Sequence, residues 1–452
     1  MCLSSFNSIK KINFHKINVG GRNMPKINVI KPSYYDTFQC IGGTCRQSCC
    51  SNWNITLSKE EFKKTKKALK SDMIKEIFSD AFVPTSGNSL QKTNTYKMKL
   101  KENGDCPFLD EQRLCWIYKD CGPEIMSKTC RIFPRFNMLY DRTRLDCSLT
   151  LGCEEVVRLL LEEKEGFLLQ TEEKDISFEE LSDYENMPSL LFVKKPILKE
   201  YYTIRGLVLG ILQNREYDMG ERMILLGIAL QKVHNMEKEE KLEEIPQYIN
   251  NFLQNMNKIQ NKNVYQQFFE NIQGHSRLRA LNTLTKYYSI WNLNQLRKDI
   301  RTNILTRIDA DMKFQASQQQ KKEDQEVIFD KVKYHFDGEK YAEAEEYFKN
   351  WTKKNPHVLE NIIVSLAWQK KIPFAYGKDI WKNYCAFAVM YSIFRFNLAM
   401  FITKDTTEEE IIDCIVTTAR SILHNDENTK KLEDELEDNE SNTLAHMAML
   451  VL

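Results

Sequence analysis

The feature that most constrains this chain is a run of cysteines between Cys40 and Cys153. Ten of its thirteen cysteines lie there: Cys40, Cys45, Cys49, Cys50, Cys106, Cys115, Cys121, Cys130, Cys147 and Cys153. The others are Cys2, Cys385 and Cys414. Three causes compete. Disulfides need an oxidising compartment, and the first residues, MCLSSFNSIKKINFHK, show neither the apolar run nor the small-residue cleavage site of an export signal. Burial or redox chemistry is the second cause. Burial suits Cys385 and Cys414, because a free thiol is a small hydrophobe, but not the vicinal pair Cys49-Cys50 between Arg46, Gln47, Ser48, Ser51 and Asn52. Metal ligation is the third and the best account: thiolates from several segments converge on zinc or iron in a reducing cytosol.

Length and composition bound the rest. The 452 residues suit two or three domains. A chain with 42% hydrophobic and 28% charged residues has the make-up of a soluble globular protein. Its 64 basic and 63 acidic residues argue against nucleic acid as the main partner, whose footprint is a dominant basic face. Only 16 glycines and 11 prolines favour long helices. The expected fold is mostly α: a cysteine-rich metal-binding α+β module, then a large helical domain. The expected boundaries are a flexible extension over 1–23, the cysteine module over 24–153, helices over 154–425 and an acidic tail over 426–452, with Met24 a candidate start.

Along the chain, Val29 to Phe38 leads into the first cysteines, and Pro32 bars a helix there. Tyr34, Tyr35 and Phe38 are expected to pack against the metal site. Ser58 and Glu61 form a capping box for a helix running to about Phe82, ended by Pro84. An alternation near Tyr96–Leu100 reads as a strand. Cys106-Pro107-Phe108-Leu109-Asp110 and Arg113–Tyr118 read as two arms of a hairpin that would bring Cys106 and Cys115 together. Ser127–Ile132 reads as helix, and another starts at Glu154. Residues 162–190 look like an exposed acidic linker. Tyr202–Leu212 and Glu221–Leu230 are strong helices, 235–263 a surface helix with loops, 264–312 further helices, 315–326 a polar connector, and 338–350 one helix without a repeating partner. Ala386–Ile402 is apolar, but Arg395 and Asn397 make it a core helix rather than a membrane span. The stretch 425–441 reads as a solvated helix or a disordered segment.

These motifs resemble a known family. Val29-Ile-Lys-Pro-Ser-Tyr-Tyr-Asp-x-Phe-x-Cys40, Ser48-Cys-Cys-Ser-x-Trp53, Cys130-Arg-x-x-Pro-Arg135 and Ser148-Leu-Thr-Leu-Gly-Cys153 look like the flagellin lysine-N-methylase family, within the wider class of cysteine-cluster, zinc- or iron-chelating proteins. The helical half agrees in Ile204-Arg205, in Gln213-Asn214-Arg215 through Arg222–Gly227, in Leu359-Glu-Asn-Ile-Ile-Val and in Ile372-Pro373-Phe374. The resemblance covers roughly residues 24–425. It implies a cytoplasmic enzyme that transfers methyl from S-adenosylmethionine to lysines of flagellin before export, with no nucleic-acid or membrane partner. It also implies a 4Fe-4S cluster, with zinc the alternative. The matching cysteines are Cys40, Cys45, Cys49, Cys50, Cys106, Cys115, Cys130 and Cys153. Eight exceed the four thiolates of one cluster, so a second metal, a structural zinc or substrate-facing thiols would take the surplus. Cys2, Cys121 and Cys147 fall outside the pattern. Two departures stand out: Gly152-Cys153-Glu154-Glu155 replaces the family's Ser-Cys-Pro-Glu, and Ile422-Leu423-His424 replaces its Glu-His, which leaves His424 reading as a helix-surface residue.

The catalytic residues and the cofactor site are not legible. No Gly-x-Gly-x-x-Gly follows a strand, and Cys45-x-x-x-Cys49-Cys50 misses the Cys-x-x-x-Cys-x-x-Cys triplet of radical enzymes. Tyr34, Tyr35 and Tyr118 are candidates by position for an apolar channel that would desolvate the lysine. Two other readings stand: a non-enzymatic zinc- or iron-binding protein with a helical partner-binding scaffold, and a thiol redox sensor built on Cys49-Cys50.

Overall fold

The structure, a computed structural model, describes residues 26–51, 53, 55–85, 95–140, 143–181, 184–186, 194–273, 296–307, 311–314, 332–335, 338–375, 379–423, 426–438 and 440–452. The stretches 1–23 and 315–326, and with them Cys2, Met24 and His424, lie outside the described residues. The fold is mostly α. Chain contacts separate Met24–Leu159 with Thr171–Asn186 from Leu160–Gln170 with Met187–Leu452.

The amino-terminal unit holds two small sheets. Strand β1 (Lys26–Pro32) buries Ile27 and Val29. It pairs in parallel with β6 (Arg144–Leu149), which pairs antiparallel with β5 (Arg135–Tyr140). Leu139, Leu145 and Cys147 close that core with Ile27 and Val29. The second sheet sets β4 (Thr95–Met98) between β2 (Thr56–Ser58) and β3 (Phe82–Thr85). Pro84 lies in β3, an edge strand, where a missing N–H is tolerated.

Helix α1 (Lys59–Ala68) starts at the expected box: the Ser58 hydroxyl accepts from the Glu61 N–H at 3.1 Å, and the Glu61 carboxylate accepts from the Ser58 N–H at 2.8 Å. The single helix expected to Phe82 is two. The chain breaks at Leu69-Lys70-Ser71, where the Asp120 carboxylate accepts from the N–H of Lys70 (2.8 Å) and Ser71 (3.3 Å), and α2 (Asp72–Ala81) follows. The hairpin is also corrected. It closes through one bridge, Leu109 to Cys115. The expected return strand then becomes α3 (Trp116–Cys121). Asp110 explains this: it accepts from the Leu114 N–H at 2.7 Å and pairs with Lys119, so the chain curls instead of extending. Helix α4 (Lys128–Ile132) is capped by the Ser127 hydroxyl, which accepts from the Cys130 N–H at 3.1 Å.

Helix α5 (Glu154–Glu162) begins where expected. The acidic stretch beyond it is not a bare linker. It supplies β7 (Leu169–Asp175), α6 (Phe178–Leu181) and β8 (Glu185–Asn186), giving a five-stranded sheet in the order β7-β1-β6-β5-β8. The acidic composition of β7 is that of an edge strand facing water.

The other unit is helical: α7 (Tyr201–Leu212), α8 (Met219–Lys238), α9 (Ile245–Asn255), α10 (Ile259–Gln273), α11 (Lys298–Arg307), α12 (Gly338–Lys354), α13 (Pro356–Gln369), α14 (Ile380–Phe401), α15 (Glu408–Leu423), α16 (Asp426–Asp438) and α17 (Leu444–Val451). A short antiparallel pair, β9 (Asp311–Phe314) and β10 (Val332–His335), lies between α11 and α12. Helix α14 is long and apolar enough to cross a membrane, but 94% of its apolar window is buried in the fold. Its polar groups are matched there: Arg395 pairs with Glu345, and the Asn397 amide donates to the Thr418 hydroxyl at 2.9 Å. The carboxy-terminal residues, read from sequence as an acidic tail, bury Leu432 and Leu436 of α16 and Met447, Ala448 and Val451 of α17. The Ser392 hydroxyl of α14 donates to the Leu450 carbonyl at 3.0 Å.

Candidate functional site

The two cysteine blocks are brought together by backbone. The Cys106 N–H donates to the Cys50 carbonyl at 2.8 Å, and Ser51 bridges Asp105 beside it. Gly42 takes a φ of +60°, and a Cβ on Gly43 would collide with the Gln112 carbonyl oxygen, so the first cysteine loop can approach the second only as Gly-Gly.

All eight candidate cysteines are free thiols; Cys40 is exposed and the other seven are half-buried. Their mutual charge effects fall into two sets. Burial pushes Cys106 up to about 12, and the charges of Cys50, Cys115 and Cys130 push the same way. Burial raises Cys130 to about 11, again with Cys50 and Cys115 acting on it. Burial also raises Cys115, and the charge of Cys50 pushes the same way. In the second set Cys49 is raised by its bond to Cys50 and by burial, with Cys153 and Cys40 adding to the effect. Burial lifts Cys45 to about 12, helped by Glu154 and Cys153. The influences on the vicinal pair differ: the charge of Cys50 acts on Cys106, Cys115 and Cys130, whereas Cys49 is acted on by Cys40 and Cys153. The Cys50 thiol is pulled down because Cys49 donates to it.

Such a donor set suits a cation. Thiolates that oppose one another's ionisation in a half-buried site need positive charge before they can all deprotonate. Among the described residues, no three of His, Cys, Asp or Glu lie close enough together to enclose an ion. Of the cysteines outside the pattern, Cys147 lies in the core of the five-stranded sheet and Cys121 beside the Ala68 carbonyl, 3.2 Å away.

Glu154, read from sequence only as a departure from the family pattern, ties the first cysteine loop to α5. It is 1% exposed and accepts from the Cys45 thiol (3.4 Å), the Gln47 N–H (3.0 Å) and Arg46 (3.1 Å). Its acidity at a helix N-terminus was the available signal.

A cavity of about 730 Å³ lies wholly within the same unit; none of the eight candidate cysteines lines it, but Cys147 does. Trp53, Phe133 and Phe136 give it aromatic surface, and Arg135 and Asp36 give it charge. Of the three tyrosines expected at a channel, only Tyr35 lines it; its hydroxyl donates to the Asn137 side-chain oxygen at 3.0 Å. Burial, with the Cys147 charge, raises the Tyr35 hydroxyl above its ordinary value. Tyr34 is buried in the core, and Tyr118 is 55% exposed on α3, the helix that replaces the expected strand.

Signature residues of the helical half meet one another. Glu360, 2% exposed, accepts from Arg222 at 2.6 Å and Arg215 at 2.9 Å. Arg205 donates to the Tyr201 hydroxyl (2.7 Å) and the Trp368 carbonyl (2.8 Å), and the Asn361 amide donates to the Leu160 carbonyl (3.0 Å).

Comparison with known proteins agrees with both halves. The family described as "FliB lysine N-methylase C-terminal domain" matches residues 205–450, and that described as "Putative zinc- or iron-chelating domain" matches residues 39–148. The chain is 36% identical over 149 residues to a lysine-N-methylase of Salmonella typhimurium, covering 32% of this chain and 35% of that protein. A lysine-N-methylase of Salmonella choleraesuis matches to the same extent. The flagellar biosynthetic protein FliU of Salmonella muenchen is 35% identical over 149 residues, which cover 84% of it. The match thus spans about a third of the length of the two methylases. No solved structure matches the chain.

Proposed function

Because the chain belongs to the FliB lysine N-methylase family, we propose that it methylates lysine side chains of flagellin in the cytoplasm before export, with S-adenosylmethionine as the methyl donor. The observation that carries this is the family match over more than half the chain, residues 205–450. The reaction needs a neutral lysine: its Nε lone pair attacks the methyl carbon, the carbon–sulfur bond breaks toward sulfur, and the methylammonium formed sheds a proton. Partial burial among aromatic side chains favours the neutral amine by desolvation. The aromatic cavity in the amino-terminal unit suits that demand.

For the metal, Cys50, Cys106, Cys115 and Cys130 are the ligands of choice, with Cys40, Cys45, Cys49 and Cys153 as a second set. A 4Fe-4S cluster is favoured by the resemblance and zinc is the alternative; either would supply the positive charge that lets these thiols ionise together. Asp105 and Glu154 hold the loops that carry the thiols and are positioning residues.

The test is anaerobic purification with iron, sulfide and zinc analysis, then incubation with flagellin and methyl-labelled donor. Iron and sulfide of about four each per cluster, with label on flagellin lysines, support the reading. A metal-loaded protein that labels no flagellin would transfer the weight to a binding protein without catalysis. Absence of metal with reversible oxidation of Cys49 and Cys50 would favour a redox sensor.

A further inference from the structure

Arg135 is placed unusually for a cation in a cavity. It follows Cys130 by five residues and opens β5. Its guanidinium lies 5.7 Å from the centre of the Tyr35 ring and 5.2 Å from that of Phe38. Three of the other cations lining the cavity are paired: Lys31 with Asp36 and Glu172, Arg131 with Glu124 at 3.2 Å, Lys174 with Glu172 at 2.6 Å. No carboxylate among the described residues pairs with Arg135. Ring faces fix a guanidinium without consuming its N–H donors, which then remain available for a carboxylate in two-point contact.

The surroundings suit a small ligand with a flat ring at one end. Trp53 stands edge-on to Phe133 with centroids 4.8 Å apart, and Phe136 lines the cavity while 40% exposed. A volume of about 730 Å³ is in the usual range for small-molecule sites.

We infer that this cavity binds the methyl donor, with Arg135 taking its α-carboxylate and the Trp53 and Phe136 rings contacting the adenosyl group. The inference rests on the methyl-transfer reading above. The donor's chemistry matches the wall: an amino-acid carboxylate needs a fixed cation, and an adenine needs an apolar, aromatic surface. Placement on the Cys130–Arg135 segment couples this site to the cysteines through a few residues of backbone.

The test is calorimetric titration of the metal-loaded full chain with two inert ligands. One is S-adenosylhomocysteine; the other is 5′-methylthioadenosine, which lacks the amino-acid group. Arg135→Ala should weaken S-adenosylhomocysteine at least about ten-fold and leave methylthioadenosine within about two-fold, and Arg135→Lys should recover part of the loss. Phe136→Ala, on the exposed face of the strand, should weaken both ligands, and it keeps the test open if Arg135→Ala does not fold. Melting temperature and metal content serve as controls. Equal loss of both ligands in Arg135→Ala, or wild-type binding in both alanine variants, would overturn the assignment while leaving methyl transfer standing. A wild-type protein that binds neither ligand would remove the donor reading and the cavity assignment together.

Discussion

A carboxylate that faces two arginines inside a protein is costly to disturb one partner at a time. Glu360→Ala would leave Arg222, itself 5% exposed, without its counter-charge. We expect a loss of about 3–5 kcal/mol in chemical denaturation, as for other broken buried pairs; a change too small to measure would show that water relieves the arginines. The cysteines offer a sharper test. Cys50→Ser should lose the same metal signal as Cys106→Ser, Cys115→Ser or Cys130→Ser, whereas Cys40→Ser, Cys45→Ser, Cys49→Ser and Cys153→Ser should share a different loss. Metal content of the eight variants decides it, and one common phenotype would contradict the division. Cys385→Ser and Cys414→Ser should retain all metal, because both thiols lie buried in the helical unit.

His234 gives the molecule a pH dependence with a defined sign. It is 7% exposed, and burial lowers its pKa although the Asp379 carboxylate, 3.6 Å from Nδ1, opposes the shift; Lys238 lowers it further. The unfolded chain therefore binds a proton more readily than the folded one. Stability is full above the ordinary histidine value of about 6.5 and falls as pH drops through the lowered folded value. His234→Gln should flatten the decline in melting temperature over that acidic range; an unchanged decline would assign it to other groups.

Among the elements, α8 and α14 cross closely at Gly227. A Cβ on Gly227 would collide with the Tyr384 hydroxyl, which donates to the Met223 carbonyl at 3.0 Å. Gly227→Ala gains helix propensity but overpacks the crossing, and the second effect should win by about 1–3 kcal/mol. A rise in melting temperature would mean the helices can part. Helix α16 shows why a charged stretch misleads. The acidic residues of 426–440 suggest solvent, yet Leu432 and Leu436 of α16 are buried at i,i+4 spacing, and the apolar 444–451 segment packs on α8 and α14.

For the whole molecule, the division into two units predicts unequal dependence on metal. The amino-terminal unit has modest cores around Phe78 and Leu145, and it carries the half-buried thiols proposed above as metal ligands. Metal binding and folding are coupled in such modules. A chelator should melt that unit early, while α8, α14 and α15, with their extensive buried faces, keep their circular dichroism. A single transition unmoved by chelator would contradict this.

Local patterns decide what local physics decides. The Ser58 box, the Ser127 cap and the apolar run of α14 with its matched Arg395 were readable because a cap or a helical face depends on residues close in sequence. The cysteine-rich segment was readable as a chelating-type domain because that density of thiols has few chemical causes, and the family match over residues 39–148 falls on it. Other features turn on partners far along the chain. Asp120 breaks one helix into two, and Glu154 is a buried hub only because Arg46 and Gln47 fold back to it. The vicinal cysteines differ in their electrostatic partners, Cys106, Cys115 and Cys130 feeling Cys50 while Cys40 and Cys153 act on Cys49, and spacing along the chain does not foretell that. Composition and spacing set which groups a chain carries; long-range folding sets which of them meet, because the energy of a buried charge or thiol depends on neighbours that sequence spacing does not encode.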